Sequence, residues 1–204
     1  MKNMIKNSKG FTLIELLVVI AIIAVLSVAV ILTLNPAELL KQARDSTRIS
    51  DVSTLKSALS LYLADVTTPY IGSSTYCYGY SNTITLTLAQ CRLNGISTGT
   101  LFLGTVNASS GRAIDVTGWL PVNFGSISSG APIGNLPVDP SSSSVVISDG
   151  NLLGYLYAAS STGLSFKLTA NMESTKYNSG SGNVENSDGG TNPGVYETGP
   201  NLGL

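Results

Sequence analysis

The sequence predicts an α+β protein in which a long N-terminal helix, first hydrophobic and then amphipathic, packs on a C-terminal antiparallel β-sheet head. Three observations predict this fold class. Residues 16–34 contain no charge. Residues 36–66 repeat apolar side chains at spacings near three and four, as an amphipathic helix does. Residues 67–204 contain short alternating segments between clusters of Gly, Pro, Ser and Asn, a pattern typical of antiparallel β structure.

The composition limits the possible functions. The chain has 204 residues, enough for one domain and a short extra element. Its net charge of −1 gives no overall attraction to nucleic acid or to an anionic surface. It contains no histidine, which excludes His-based catalytic triads, histidine proton shuttles and most zinc sites.

The apolar segment 11–34 is long enough to cross a membrane, because a helix rises about 1.5 Å per residue and the hydrocarbon core is about 30 Å thick. A cleavable secretory signal has a shorter apolar run and a small-x-small site, whereas Asn-Pro-Ala-Glu follows here. A plain signal anchor remains an alternative. Basic residues on the two sides nearly balance, so the sparsely charged C-terminal region is the better indication that it lies outside.

Neither alternative explains Glu15, an acid inside the apolar segment. Such an acid costs about 2.5–3.5 kcal/mol at the membrane centre and less towards the interface. No Lys, Arg or His lies within one helical turn on the same segment. We therefore expect the partner to come from elsewhere, for example from a new α-amino group made by cutting after Gly10 and presented by a neighbouring copy.

The stretch K-G-F-T-L-I-E (9–15), followed by a long apolar run, resembles the class III leader of type IV pilins and pseudopilins. The resemblance implies that a prepilin peptidase cuts after Gly10 and that the new N-terminal residue, Phe11, is methylated. It also implies that Glu15 pairs with the N-terminal amine of an adjacent subunit. The implied fold is the pilin fold.

The resemblance divides the chain into four parts. These are a basic leader peptide, a transmembrane and filament-core helix, an amphipathic helix that continues to the head, and an extracellular β-rich head with a long C-terminal loop, at residues 1–10, 11–35, 36–66 and 67–204. The implied function is a structural subunit of an extracellular type IV pilus-like filament. The alternatives are a pseudopilin of a type II secretion-like machine, or a minor pilin acting in adhesion or DNA uptake.

The implied partners are the prepilin peptidase, other copies of the chain and related pilins, and an inner-membrane assembly platform. The precursor is expected to be a single-pass membrane protein, and the assembled subunit to lie at the cell surface. No nucleic-acid partner is expected, because the head has only four dispersed basic residues, Arg92, Arg112, Lys167 and Lys176. No cofactor is expected.

Beyond the apolar segment, Asn35-Pro36-Ala37-Glu38 has the residues of a helix start, with Asn at the N-cap and Pro at the first position. Directly after another helix, it predicts a bend or a melted turn at Asn35. The apolar stripe of 49–63 is expected to pack on the head. Thr67-Thr68-Pro69 is expected to end the helix.

Two ion pairs are predicted on the polar side of this second helix. Lys41 with Asp45 and Arg48 with Asp51 have spacings of four and three residues, which bring side chains together on a helix surface.

In the head, alternation predicts strands at Thr83–Leu88, Leu152–Ala158 and Leu164–Ala170, the last two joined as a hairpin by S-S-T-G. The tail after Tyr177 has almost no apolar residue and is expected to form an extended loop that re-docks at Val195-Tyr196.

The stretches G-W-L-P-V-N-F (118–124) and N-L-P-V-D-P (135–140) resemble, more loosely, small type IV pilin-like proteins and major pseudopilins with an L-P-x-D-P turn. Asp139 is accordingly expected to cap a turn. Major pseudopilins carry calcium in the C-terminal loop, where this chain has Glu185, Asp188 and Glu197. Their spacing matches no calcium motif, so no metal site is predicted.

Cys77 and Cys91 close a loop of about 15 residues if they pair, which contributes roughly 3 kcal/mol in the chain-entropy model. A disulfide is favoured for an exported chain, with two buried free thiols as the alternative. No enzyme is predicted, because the sequence has no nucleophile motif and no P-loop. The one remaining carboxylate pair, Asp139 with Asp149, has no supporting spacing.

Overall fold

The computed structural model describes residues 10–74, 76–80, 87–96, 107–109, 111–141, 153–160 and 163–204. The predicted strand residues 83–86, Leu152 and Asp149 lie outside these ranges, as does the leader up to residue 9. The chain divides into two compact units, Met1–Leu39 and Leu40–Leu204, which we call the N-terminal unit and the C-terminal unit.

The N-terminal unit is built on helix α1, Leu13–Leu34. It ends at Asn35, which adopts a left-handed conformation with φ 40° and ψ 71°. Asparagine tolerates this conformation better than most residues. The predicted interruption of the helix at Asn35 is therefore present.

Helix α2, Pro36–Asp65, starts at the next residue. Asn35 serves as its cap, because its side-chain oxygen and its carbonyl oxygen both accept a hydrogen bond from the Glu38 N–H, at 3.4 and 3.0 Å. Proline at the first helical position has no N–H to leave unsatisfied. The local sequence thus predicted both the end of one helix and the start of the next.

The C-terminal unit contains a five-stranded sheet in the order β2-β1-β3-β4-β5. The strands are β1 Cys77–Tyr80, β2 Asn107–Ser109, β3 Tyr155–Ser160, β4 Ser165–Ala170 and β5 Tyr196–Thr198. Four of them pair antiparallel, and β2 runs parallel to β1 at one edge. The predicted α+β fold class, with a long N-terminal helix and an antiparallel sheet, is confirmed.

The hairpin of β3 and β4 is confirmed, with Tyr155 opposite Ala170 and Ser160 opposite Ser165. The predicted strand at Thr83–Leu88 is wrong at its end, because Leu88 begins the short helix α3, Leu88–Leu93. Thr87 is its N-cap and forms a reciprocal capping box with Gln90, so this T-x-x-Q pattern favours a helix start over continued alternation.

The core of the C-terminal unit lies between α2 and one face of the sheet. The apolar stripe of α2 is buried there at Val52, Leu55, Leu59 and Tyr62. It meets large side chains from the loops and strands, namely Trp119, Leu120, Val122, Phe124, Leu136, Tyr155, Tyr157, Phe166, Leu168 and Met172. The predicted packing of 49–63 on the head is confirmed.

The loops of the core are joined through Trp119, whose indole N–H donates to the Pro137 carbonyl at 3.0 Å. This bond connects the stretches 118–124 and 135–140 that stood out in the sequence. The first of them ends in a 3-10 turn at Phe124–Ser126, with Phe124 fully buried.

The ion pairs predicted on a solvent-facing side of α2 are wrong. Arg48 and Asp45 are both fully buried and pair with each other at 2.7 Å. Arg48 also binds Asp139 at 2.6 Å. Asp51 instead accepts a hydrogen bond from the Tyr155 hydroxyl at 2.7 Å. The physical reason is spacing: positions 45 and 48 continue the buried stripe of 52, 55 and 59 by steps of three and four.

The tail after Tyr177 is more structured than the predicted extended loop. It begins within a short helix, α4 Thr175–Asn178, and continues through turns to β5. Val195 is fully buried and Tyr196 begins β5, so the predicted re-docking is confirmed.

Candidate processing and assembly site

Three described residues, 10–12, precede α1. Gly10 and Phe11 lie outside the helix, and Thr12, at φ −80° and ψ 151°, is the N-cap. A Cβ built on Gly10 would meet no atom within 4 Å, and Phe11 is 87% exposed. The Gly10–Phe11 peptide bond is thus accessible to another protein.

The Glu15 carboxylate is held at the start of α1 by Thr12. It accepts hydrogen bonds from the Thr12 N–H at 2.8 Å and from the Thr12 hydroxyl at 2.7 Å. The Thr12 hydroxyl in turn accepts from the Glu15 N–H at 3.3 Å. This reciprocal capping box satisfies N–H groups that a helix start leaves without partners.

Sequence reasoning missed this role of Thr12. The sequence led us to expect a charged partner for Glu15, and no such residue lies within one helical turn on the same segment. The signal was present as T-L-I-E, a threonine followed three residues later by glutamate at the start of an apolar run. Thr12 supplies uncharged hydrogen bonds, so the carboxylate still lacks a partner of opposite charge within the described part of this helix.

The rest of α1 presents apolar side chains in every direction. All residues from 11 to 31 are exposed. Leu13–Ile31 is long and apolar enough to cross a membrane, with a mean hydropathy of 3.1 and no buried residue. Such a surface requires an apolar environment, either lipid or other helices.

The sequence comparison adds a family motif to this geometry. Residues 5–31 match the family model of the prokaryotic N-terminal methylation motif. The chain carries a class III prepilin leader. This leader belongs to type IV pilins and pseudopilins, and the resemblance drawn from K-G-F-T-L-I-E is confirmed. The prepilin leader and the apolar helix together fit a membrane-anchored precursor.

The match is confined to residues 5–31, and no curated protein and no solved structure matches the chain. The proteins that carry the prepilin leader form a family of structural subunits, not of enzymes.

In the C-terminal unit, Cys77 and Cys91 form a disulfide with their Cα atoms 6.4 Å apart. The bond joins β1 to α3, and both cysteines are buried. The predicted disulfide is therefore present in the structure.

The three carboxylates considered for calcium each bind groups of the chain itself. Glu185 accepts from the Met172 N–H at 2.8 Å, and Asp188 accepts from the Gly190 N–H at 2.7 Å. Glu197 is fully buried and pairs with the ammonium of Lys167 at 2.7 Å. Among the residues that the structure describes, no group of three His, Cys, Asp or Glu could hold a metal ion.

Asp139 caps its turn as predicted, accepting from the Ser141 N–H at 2.9 Å. The same carboxylate binds the guanidinium of Arg48 through two hydrogen bonds, at 2.6 and 2.9 Å. This second role depends on a residue 91 positions away in the sequence, which local turn chemistry could not indicate.

Proposed function

We propose that the chain is a structural subunit of an extracellular type IV pilus-like filament. It is inserted in the membrane as a prepilin, cleaved after Gly10 by a prepilin peptidase, and polymerised through residues 11–35. The observation that carries this proposal is an apolar helix, exposed throughout residues 13–31, that begins three residues after Gly10 of a prepilin leader and contains one acid in its first turn.

The exposed apolar surface of α1 suits two environments in succession, the lipid of the membrane and the helices of neighbouring subunits. Burying apolar surface contributes about 25 cal/mol per Å², so α1 is stable in lipid before assembly. The helices of neighbouring subunits offer an equally apolar surface, which lets α1 leave the membrane without exposure to water. On this proposal the membrane holds the subunit only until assembly.

The start of the helix suits cleavage. The Gly10–Phe11 bond lies outside α1, where its N–H and C=O are not used by the helix. Gly10 has no side chain, and the space where one would lie is open to a peptidase. Cleavage gives Phe11 a positively charged amino group in place of a peptide bond.

The new charge offers Glu15 a partner of opposite charge, which the described part of α1 does not contain. Thr12 holds the carboxylate at the helix start, where the helix dipole favours negative charge. In an apolar filament core, a pair between this carboxylate and the amine of an adjacent Phe11 would be much stronger than in water. We propose that this pair sets the stagger between neighbouring subunits.

Each of the four parts of the chain has a role in the proposed filament. Residues 1–10 are the leader, 11–35 the membrane and filament-core helix, 36–66 the connection, and 67–204 the extracellular head. The partners are the prepilin peptidase, further copies and related pilins, and an inner-membrane assembly platform.

The cleavage is tested by the intact mass of the protein isolated from cells that carry the peptidase. We expect a chain that begins at Phe11, heavier by one methyl group. A Gly10→Val variant should remain uncleaved, because its side chain fills the open space at the bond. A native protein that retains Met1 would contradict the proposal.

The charge pair is tested by two variants that separate it from the capping box. Glu15→Gln removes the charge but keeps a side-chain oxygen that can accept from Thr12, whereas Thr12→Ala removes the cap and keeps the charge. We expect Glu15→Gln to be cleaved but not incorporated into filaments, and Thr12→Ala to be incorporated. Normal incorporation of Glu15→Gln beside wild-type subunits would rule out the pairing role.

Electron microscopy of native cells, with antibody against the head, distinguishes the filament from the alternatives. Labelled surface fibres are expected for a pilus subunit. Their absence, with the chain confined to a cell-envelope complex, would instead identify a pseudopilin of a secretion machine. Label only at sparse points on fibres made of another protein would identify a minor pilin.

A further inference from the structure

A pocket of about 350 Å³ lies in the C-terminal unit between the segments 70–78 and 116–121. Its lining residues are Tyr70, Tyr76, Tyr78, Val116 and Pro121. Three of these five residues are aromatic and none is charged. The volume is near the lower end of the range for small-molecule sites, which is about 300–1,000 Å³.

Exposed apolar side chains concentrate at this pocket. Among the described residues after position 65, the large apolar side chains that remain exposed are Tyr70, Tyr76, Leu93, Val116 and Leu164. Three of the five line the pocket. A soluble surface normally scatters such residues, and clustering of them indicates a binding surface.

The first wall of the pocket is fixed through its backbone. The buried hydroxyl of Tyr62 accepts from the Tyr70 N–H at 2.9 Å, and that of Tyr157 donates to the Ile71 carbonyl at 2.8 Å. The disulfide at Cys77 holds the other end of this segment. The wall therefore exists before any ligand arrives, which lowers the entropic cost of binding.

The second wall is fixed by a turn and by the core. Asp115 accepts from both the N–H and the hydroxyl of Thr117, at 2.8 and 2.5 Å. The backbone N–H of Trp119 donates to the Gly111 carbonyl at 2.9 Å. Val116 lies at the tip of this turn and is 57% exposed.

Three phenol groups belong to the lining of the pocket. The ring centroids of Tyr76 and Tyr78 are 6.0 Å apart, and the Tyr78 hydroxyl accepts from the Ser73 N–H at 2.9 Å. Burial raises the pKa of Tyr78, and the neighbouring phenols of Tyr70 and Tyr76 raise it further. The pocket thus combines apolar ring faces with several hydroxyl groups that can both donate and accept hydrogen bonds.

We propose that this pocket binds a neutral saccharide, one or two pyranose rings in size, as an adhesive site of the C-terminal unit. A pyranose has an apolar C–H face, which packs on an aromatic ring, and hydroxyl groups around its edge, which match the phenols. The lining offers no cation for a phosphate, sulfate or sialic acid. A nucleobase would also stack on tyrosine, but its backbone phosphates need basic residues that the lining lacks.

The test is saturation-transfer difference NMR on the whole chain, held in micelles of a zwitterionic detergent because sugar-headed detergents would compete. The probes are glucose, galactose and N-acetylglucosamine, each with its disaccharide. A decathymidylate and a proline-rich decapeptide are the two macromolecular comparisons. We expect saturation transfer to the ring protons of at least one saccharide. We expect none to the decathymidylate or to the proline-rich decapeptide.

Three variants locate the binding. Tyr76→Ala should weaken it about five- to tenfold, the equivalent of one lost aromatic contact. Val116→Trp, at an exposed position, should fill the pocket and abolish binding while leaving the thermal midpoint unchanged. Leu93→Ala, equally apolar and exposed but outside the lining, should bind as the wild type does.

The proposal is overturned if no saccharide is saturated, if only the oligonucleotide or the peptide is, or if Val116→Trp binds normally. These outcomes do not bear on the proposed filament assembly, since the five lining residues belong to the C-terminal unit and the proposed assembly contacts lie on α1.

Discussion

Lys167, on β4, is fully buried together with its partner Glu197. Besides that carboxylate, its ammonium donates to the carbonyls of Gly95 and Leu202, each at 2.7 Å, and lies 3.2 Å from the Thr191 hydroxyl. One cation thus joins β4, the turn after α3 and the C-terminal segment. Because a buried charge is tolerated only when it is paired and hydrogen-bonded, this arrangement is stabilising only while it is complete.

Replacing Lys167 by methionine should lower the free energy of unfolding by about 3–5 kcal/mol, because the Glu197 carboxylate remains buried without its charge partner. Thermal and urea unfolding of the chain in detergent measure the change. Lys176→Met, at an exposed lysine in the same unit, is the control and should change stability by no more than about 0.5 kcal/mol. Equal effects of the two substitutions would contradict this account of Lys167.

Glu173 gives the C-terminal unit an acid-sensitive contact. Burial alone would raise its pKa, but hydrogen bonds from Arg44 and Arg48 more than compensate, so its pKa lies below the ordinary value of 4.5. The folded state therefore binds a proton at Glu173 less readily than the unfolded state does. Its contribution to stability is present above the unfolded pKa and is lost as the pH falls through the lower, folded value.

We therefore expect Glu173→Gln to be less stable than the wild type near pH 7 and to show a shallower loss of stability on acidification below about pH 4.5. Urea unfolding at a series of pH values measures both slopes. If the two proteins lose stability in parallel over this acid range, the contact with the two arginines does not carry the effect.

At the scale of elements, Arg48 is the residue that fastens α2 to two distant loops. Its guanidinium binds Asp139 and Glu173, while Asp45 on the same helix accepts from the Glu173 and Ser174 N–H groups. The contacts span 91 to 129 positions of sequence. They add directional bonds to the apolar packing of α2 on the sheet.

Arg48→Met should destabilise the C-terminal unit by about 3–5 kcal/mol, because three carboxylates would remain near each other without their shared cation. Lys56→Met, on the exposed side of the same helix, is the matched control and should be nearly neutral. Urea unfolding of the two variants and the wild type measures the change in the free energy of unfolding. If Arg48→Met left the free energy of unfolding unchanged, apolar packing alone would position α2.

The disulfide between β1 and α3 should contribute about 3 kcal/mol, since its closed loop spans a sequence separation of 14. Adding dithiothreitol should lower the unfolding free energy of the wild type by that amount. The double variant Cys77→Ser, Cys91→Ser should start at the lower value and show no response to the reductant. A wild type that is equally stable before and after reduction would contradict the expectation.

These elements also mark where sequence reasoning succeeded. The break at Asn35 and the hairpin of β3 and β4 depend on a few adjacent residues, whose chemistry is visible in the sequence. The capping residue Thr12 belonged to the same class and was detectable. Arg48 was detectable in part, because it continues the buried stripe of α2, but its partner Asp139 was not, since only the tertiary fold brings them together.

Lys167 could not have been placed from the pattern of its strand. In S-F-K-L-T-A the alternation puts Phe166 and Leu168 on the core face and Lys167 on the opposite face, which an isolated hairpin would leave in water. The polar tail covers that face through hydrogen bonds instead of apolar contacts. Composition predicted a loose tail because it counts apolar anchors and not backbone partners.

At the scale of the whole molecule, the apolar surface and the core belong to different units. The core residues in the described part of the chain all lie within Leu40–Leu204, and the side chains of residues 11–31 are exposed. We therefore expect the C-terminal unit to fold without the apolar helix. On the proposed function, in contrast, membrane attachment and self-association depend on α1.

A fragment of residues 40–204 should accordingly be a soluble monomer in sedimentation experiments without detergent, whereas the full chain should sediment with membranes or as large assemblies. The fragment should also unfold within about 1 kcal/mol of the full chain in detergent, because none of its core is removed. The start of α2 loses one turn and its Asn35 cap, which accounts for a small decrease. A fragment that lacks near-ultraviolet circular dichroism or a cooperative transition would show that α1 is required for the fold.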